Sequence, residues 1–126
     1  MLSRRRAHTT LPTLDVDGLR PFYEEVLGFV PRVVLATAVV YDAGDGSLFA
    51  ISRTGAPSSG THTQMAFTVD DVDAEVAGLK ERGVVFEEYE SPRTEGGIAR
   101  IAIGRAAWFK DPHGNLLAVV QFDDAF

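Results

Sequence analysis

Few side chains in this chain have types and spacings suited to acid–base or metal chemistry. The 126 residues include three histidines, His8, His62 and His113, and no cysteine. Thiol catalysis, cysteine-ligated zinc and disulfide bonds are therefore excluded, and the sequence shows no Ser-His-Asp pattern and no phosphate-binding glycine loop. Because an imidazole exchanges protons near neutral pH, His8 could act as a general base. Alternatively, it could hydrogen-bond to a ligand and orient it.

The composition narrows the range of partners. The chain has 12 Lys and Arg against 18 Asp and Glu, a formal net charge of −6. A surface of this sign repels phosphates, so we expect neither nucleic acid nor an anionic membrane as a partner. The longest apolar run, residues 33–41, is about half of the ~20 residues that a membrane helix needs. We expect a soluble, cytoplasmic protein.

The chain contains one structural pattern twice. In each copy an aspartate opens a predicted helix that ends at a glycine, and a glycine turn leads into an apolar strand. The matching segments are residues 15–19 and 71–74, 27–29 and 82–84, and 45–51 and 113–119. Aligning the copies on these segments pairs His8 with Gln64 and Ala50 with Ala118.

Each copy predicts the element order β-α-β-β-β. The first copy has a strand over 8–14, a helix with the apolar stripe Leu19, Phe22, Tyr23, Val26 and Leu27, two strands within 29–41, and a strand over 48–52. The second copy has a strand over 62–69, a helix from Asp71, a strand over 84–89, one or two strands within 98–109, and a strand over 116–122. We therefore expect a single domain over residues 1–126, with module one at about 7–53, a linker at about 54–61 and module two at about 62–122. Since such short helices cover only one face of a mainly antiparallel sheet, the other face is left to line a site.

Three segments resemble the vicinal oxygen chelate superfamily: residues 22–29 (FYEEVLGF), 67–72 (FTVDDV) and 108–115 (WFKDPHGN). This superfamily holds glyoxalase I, bleomycin-resistance proteins, extradiol dioxygenases and methylmalonyl-CoA epimerase. The resemblance implies an α+β fold in which two tandem βαβββ modules form a curled, mixed, mainly antiparallel sheet cup. It also implies a homodimer.

The resemblance further implies where a metal would bind. In the superfamily's enzymes a divalent metal sits on side chains that correspond here to His8, Ala50, Gln64 and Ala118. Two of these are alanines, which have no donor atom, and such a site needs about three protein ligands. His8 and Gln64 remain as weak candidates, with His62 as a third because it lies two residues before Gln64 on the predicted strand. We expect no metal and no other cofactor.

The leading hypothesis is a metal-free protein of the glyoxalase/bleomycin-resistance type that binds a small organic ligand in the cup between its modules. The predicted ligand-binding residues are His8, Leu48, Ala50, Ser52, Gln64, Thr68, Trp108, Leu116 and Ala118. Trp108 and Tyr89 are candidate stacking platforms, although alternation alone leaves open which sheet face they occupy. The alternative is a glyoxalase-, lyase- or isomerase-type enzyme with His8 as base or with an unconventional divalent metal site.

Overall fold

The computed structural model describes residues 1–124, which fall into two compact units, one spanning Met1–Pro57 and the other beginning at Ser58. The first unit contains β1 (Thr9–Thr13), α1 (Val16–Pro21), a π-helical turn (Phe22–Val26), β2 (Pro31–Val34), β3 (Ala38–Asp42) and β4 (Leu48–Arg53). The second contains β5 (Met65–Thr68), α2 (Val72–Glu81), β6 (Thr94–Glu95), β7 (Ile98–Ile101), β8 (Gly104–Lys110) and β9 (Leu116–Phe122). Short 3-10 turns lie at Leu2–Arg4 and Gly44–Gly46.

The first unit is a four-stranded mixed sheet in the order β1-β4-β3-β2, with β1 parallel to β4 and the other pairs antiparallel. Its helical segment buries Leu19 and Tyr23 completely. The Tyr23 ring lies 5.6 Å from Phe49 and 5.9 Å from Tyr41 between ring centres. Along β4, buried Phe49 and Ile51 alternate with half-exposed residues, so one face of the sheet carries the core and the other is open.

The second unit is a five-stranded sheet in the order β5-β9-β8-β7-β6, in which β5 pairs parallel with β9. Helix α2 packs against β8 and β9 and buries Val72 and Val76. By the internal repeat, Leu117 corresponds to Phe49 of the first unit. Leu117 is fully buried, which completes the apolar layer beneath the helix.

The two units repeat each other down to backbone geometry. Asp15 and Asp71 cap their helices with φ/ψ of −144°/98° and −142°/98°, and each accepts a hydrogen bond from the backbone N–H three residues later, at 3.0 Å and 3.1 Å. Such caps satisfy backbone donors that have no partner within the helix. The helices are followed by Gly28 and Gly83, whose φ values of 82° and 92° strongly favour glycine. The predicted α+β class with duplicated modules is confirmed.

Four elements differ from the predictions, and one of them is the short strand β6, which lies in a segment predicted to be a loop. Residues 84–89 do not form a strand; Phe86 makes one isolated bridge to Phe109, and their rings meet edge-on at 5.5 Å. The first strand of the second unit begins at Met65 rather than at His62. The first helix changes to π-helical hydrogen bonding after Pro21, and Leu27 N–H donates to the carbonyl of Phe22. Pro21 has no N–H to donate to the preceding turn, so the regular α-helical pattern is interrupted at this point.

A charged cluster joins the first helix to its sheet. The Nε of Arg20 donates to Oε2 of Glu24 at 2.7 Å, and the hydroxyl of Tyr41 donates to the same oxygen at 2.9 Å. Arg20 and Glu24 also line a surface groove of about 350 Å³. Burial and the neighbouring Glu24 carboxylate raise the pKa of Tyr41 well above its ordinary value of 10.

Stability should therefore fall on the alkaline side. Above about pH 10 the unfolded chain loses the Tyr41 proton while the folded chain keeps it, so unfolding becomes easier as pH rises. We expect the free energy of unfolding, measured with urea between about pH 9 and about pH 11, to fall less steeply in Tyr41→Phe than in the natural protein. The pH profile of Tyr89→Phe is measured for comparison and should also be less steep, because burial also raises the pKa of Tyr89. Parallel pH profiles for the natural protein and Tyr41→Phe would contradict this assignment.

Candidate functional site

The open face of the first sheet brings together three of the predicted site residues. Leu48, Ala50 and Ser52 alternate along β4 and are all half-exposed. Ala50 lies in register between Thr10 of β1 and Val40 of β3. The face is therefore mainly apolar with hydroxyl groups at intervals, a composition typical of small-molecule sites.

His8 lies at one end of this open face, directly before β1. Its exposed side chain lines a hollow of about 260 Å³ together with Arg6, Leu48 and the turn at residues 45–47. Nη1 of Arg6 donates to the carbonyl of Gly46 at 3.0 Å, which fixes the guanidinium on the rim. His8 itself makes no hydrogen bond to any residue of the described range 1–124, so its imidazole is available to a ligand.

Gln64 occupies a different environment from its repeat partner His8. Its Oε1 accepts two hydrogen bonds, from the Ser58 hydroxyl at 2.6 Å and from the Leu116 backbone N–H at 3.0 Å. Its Nε2 donates to Oδ1 of Asn115 at 2.9 Å. Because a carbonyl oxygen has two lone pairs, the Gln64 oxygen has no remaining site for a metal or a ligand. The sequence alone did not reveal this structural role.

The turn at residues 111–115, to which Gln64 is hydrogen-bonded, contains a network of buried polar groups. Asn115 is fully buried and Asp111 is 3% exposed. Oδ1 of Asp111 accepts from the backbone N–H groups of His113 and Asn115, and its Oδ2 accepts from Nδ2 of Asn115 at 2.7 Å. Buried polar groups are retained only when such bonds are complete, so this turn fixes the start of β9.

Trp108 lies on the open face of the second sheet, because it is in register with Ala118 of β9 and both face away from the layer beneath α2. Its Nε1 donates to the hydroxyl of Thr63 at 3.1 Å. Thr63 lies just before β5, and β9 runs between β8 and β5, so the indole crosses β9 above Ala118. This position agrees with the exposure of only 1% for Ala118 and 5% for Leu116. Tyr89 meets the indole edge-on at 5.7 Å between ring centres.

Two further predicted residues, Thr68 and His62, are exposed. Thr68 is exposed on β5, in register with Val120. His62 is exposed and outside the strand, so the alternation that would place it on the same face as Gln64 does not apply to it. Within residues 1–124, no group of three or more His, Asp or Glu side chains is arranged to hold a metal ion.

Sequence reasoning missed Thr63 and Lys110. Lys110 follows Trp108 by two residues on β8, so the two side chains share a face, and it is exposed. That spacing could have identified Lys110 once the face of Trp108 was known. Thr63 had no sequence signal, because its role depends on a bond between residues 45 positions apart.

Comparison with known proteins identifies the class to which this architecture belongs. The model of the Glyoxalase/Bleomycin resistance protein/Dioxygenase superfamily matches residues 5–119. The chain is therefore a member of that superfamily, as its sequence motifs indicated. Among the described residues, no helix is both long enough and apolar enough to span a membrane.

Solved structures of the same fold cover nearly the whole chain. An antibiotic binding protein, TnmS3 from Streptomyces sp. CB03234, is 23% identical with a TM-score of 0.69, covering 95% of this chain and 98% of its own. A glyoxalase/bleomycin resistance protein from the same organism is 26% identical with a TM-score of 0.67, covering 93% and 100%. A glyoxalase/bleomycin resistance protein/dioxygenase from Alicyclobacillus acidocaldarius is 19% identical with a TM-score of 0.74, covering 96% and 93%. No curated protein matches the chain.

Proposed function

We propose that this superfamily member is a small-molecule-binding protein that works without a metal, taking an organic ligand on the sheet faces that its helices leave uncovered. The observation that carries the proposal is the environment of Gln64. Both lone pairs of its carbonyl oxygen are used by Ser58 and Leu116, so the residue is committed to the fold.

The residues at the family's metal positions do not fit a catalytic divalent metal. Ala50 and Ala118 have no donor atom, and the indole of Trp108 lies above Ala118. His8 is the one imidazole left at these positions, and one neutral ligand is too few for a site that needs about three. A binding role is also the role stated for TnmS3, a structural neighbour described as an antibiotic binding protein.

The proposal also covers the location and the oligomeric state of the protein. We take the protein to act in the cytoplasm as a homodimer. β2 is an edge strand of its sheet. Its residues Val33 and Val34 are exposed at 43% and 50%, and Leu35, which follows it, at 57%. An apolar edge strand of this kind is a natural surface for pairing with a second copy.

Thermal unfolding tests the metal-free assignment directly. EDTA-treated protein and His8→Ala are heated with Mn, Fe(II), Co, Ni or Zn, and then with a library of aromatic, aliphatic, charged and neutral compounds. A ligand that binds only the folded state raises Tm. We therefore expect that no metal shifts Tm through His8 and that at least one organic compound raises Tm. A metal-induced rise that disappears in His8→Ala would overturn the metal-free assignment, and a library without any hit would overturn the binding function.

The alternative is an enzyme that uses His8 as its base. The exposed His8 imidazole, without a hydrogen bond to residues 1–124 and beside Arg6 in a hollow, is the feature that favours it. Turnover of a compound found in the library, abolished by His8→Ala while that variant still binds the compound, would establish the enzyme instead.

A further inference from the structure

The open face of the second sheet carries a cation that has no partner among the described residues. The ammonium group of Lys110 makes no hydrogen bond and no ion pair with any residue of the range 1–124. Two arginines of the same sheet are paired: Arg100 with Asp123 and Arg105 with Asp73. In a chain whose net charge is −6, the Lys110 ammonium has no carboxylate neighbour among these residues to neutralise it.

This ammonium and the Trp108 indole reach the same loop. The indole nitrogen bonds to Thr63, and Nζ of Lys110 lies 3.5 Å from the point where a Cβ on Gly60 would stand. Both side chains start two residues apart on β8. Their in-register neighbours on β9, Ala118 and Leu116, carry no charge. An aromatic surface and an unpaired positive charge therefore adjoin each other above an apolar floor.

Two contacts hold the indole in place. The bond to Thr63 fixes one edge, and the edge-on contact with Tyr89, at an interplanar angle of 72°, supports it from the side. Trp108 nevertheless remains half-exposed, so part of its ring is open for stacking. A fixed aromatic surface binds a flat ring with little loss of side-chain freedom.

We infer that the ligand of this face is a planar aromatic anion, an aromatic carboxylate in its simplest form, whose ring stacks on Trp108 and whose charge is neutralised by Lys110. The inference rests on the proposed binding function and specifies its ligand class. Lys110 supplies the specificity for charge and Trp108 the specificity for an aromatic ring. A cationic aromatic compound would be repelled by the same ammonium.

The test uses the fact that the chain has one tryptophan, so its indole N–H gives one signal in a ¹⁵N–¹H correlation spectrum. The full-length protein is titrated with 2-naphthoate, with the neutral 2-naphthamide and with the non-aromatic cyclohexanecarboxylate. We expect 2-naphthoate to move the indole signal and to bind about tenfold tighter than either of the other probes. In Lys110→Gln the preference of naphthoate over naphthamide should disappear.

Lys80→Gln is the matched control, because Lys80 is an exposed lysine of the same unit whose Nζ donates to the Gly96 carbonyl. It should keep the full preference. Equal binding of naphthoate and naphthamide, or an equal loss in both lysine variants, would overturn the anion assignment and leave the proposed binding function standing. An indole signal that none of the probes moves would overturn the whole inference; the proposed function would then be decided by the library, which also contains aliphatic and neutral compounds.

Discussion

Replacing Gln64 by leucine is expected to lower the free energy of unfolding by about 2–4 kcal/mol. The substitution removes three hydrogen bonds at once, from the Ser58 hydroxyl, from the Leu116 N–H and to Asn115. The Asn115 side chain is fully buried, so water cannot replace the hydrogen bond that its Oδ1 loses. Removing a hydrogen bond from a buried acceptor costs more than the average hydrogen bond contributes.

Urea denaturation followed by circular dichroism measures the effect. Thr68→Val is the control, because Thr68 is an exposed polar residue of the same strand, β5, and its replacement should change stability by less than about 0.5 kcal/mol. Gln64→Glu is a second variant. It keeps the two acceptor bonds but turns a carboxylate oxygen toward the Asn115 oxygen, so it too should be destabilised at neutral pH.

The result bears on function as well as on stability. A loss of the expected size would mean that the Gln64 amide belongs to the scaffold, as the metal-free proposal requires. A Gln64→Leu protein as stable as the Thr68→Val control would show that these hydrogen bonds contribute little. The Gln64 carbonyl oxygen would then return as a candidate ligand atom.

Replacing Gly104 by alanine is expected to destabilise the second unit by about 2–3 kcal/mol. Gly104 is buried at the start of β8 and pairs with Phe122 of β9. A methyl group there would overlap the carbonyl oxygen of Gln121 and lie 3.0 Å from Cα of Phe122. These are backbone atoms of the neighbouring strand, so they cannot move aside without loosening the ladder that also carries Trp108.

Gly78→Ala is the matched comparison, because the same substitution at that position should raise stability instead of lowering it. Gly78 lies inside α2, is exposed, and has no atom within 4 Å of an added Cβ. Because alanine loses less backbone entropy than glycine in a helix, this variant should be more stable by about 0.5–1 kcal/mol. The urea midpoints of Gly104→Ala, Gly78→Ala and the natural protein are measured in one denaturation series. A Gly104→Ala protein that is as stable as the natural one would contradict the packing described for the β8–β9 ladder.

Local sequence signals determined much of this fold. The duplicated pattern, the aspartate caps at Asp15 and Asp71, and the glycines that end both helices depend on interactions within a few residues, and the structure confirms them. The alternation of β4 was equally readable, since side chains on a strand change face at every residue. The two alanines that the family resemblance assigns to metal positions, Ala50 and Ala118, were also visible in the sequence itself.

The tertiary structure decided what each of the other candidate residues does. The Gln64 amide could either bind a ligand or hydrogen-bond within the fold. Which of these it does depended on Ser58 and on Asn115, which is 51 positions away. The face of Trp108 depended on its register with Ala118, and its contact with Thr63 on the order of three strands. The segment at 84–89 had a strand-like composition, but only Phe86 pairs with a neighbouring strand. Cross-strand register and long-range hydrogen bonds arise from chain segments that the sequence does not place side by side, so local patterns identified the candidate residues and only the fold assigned their partners.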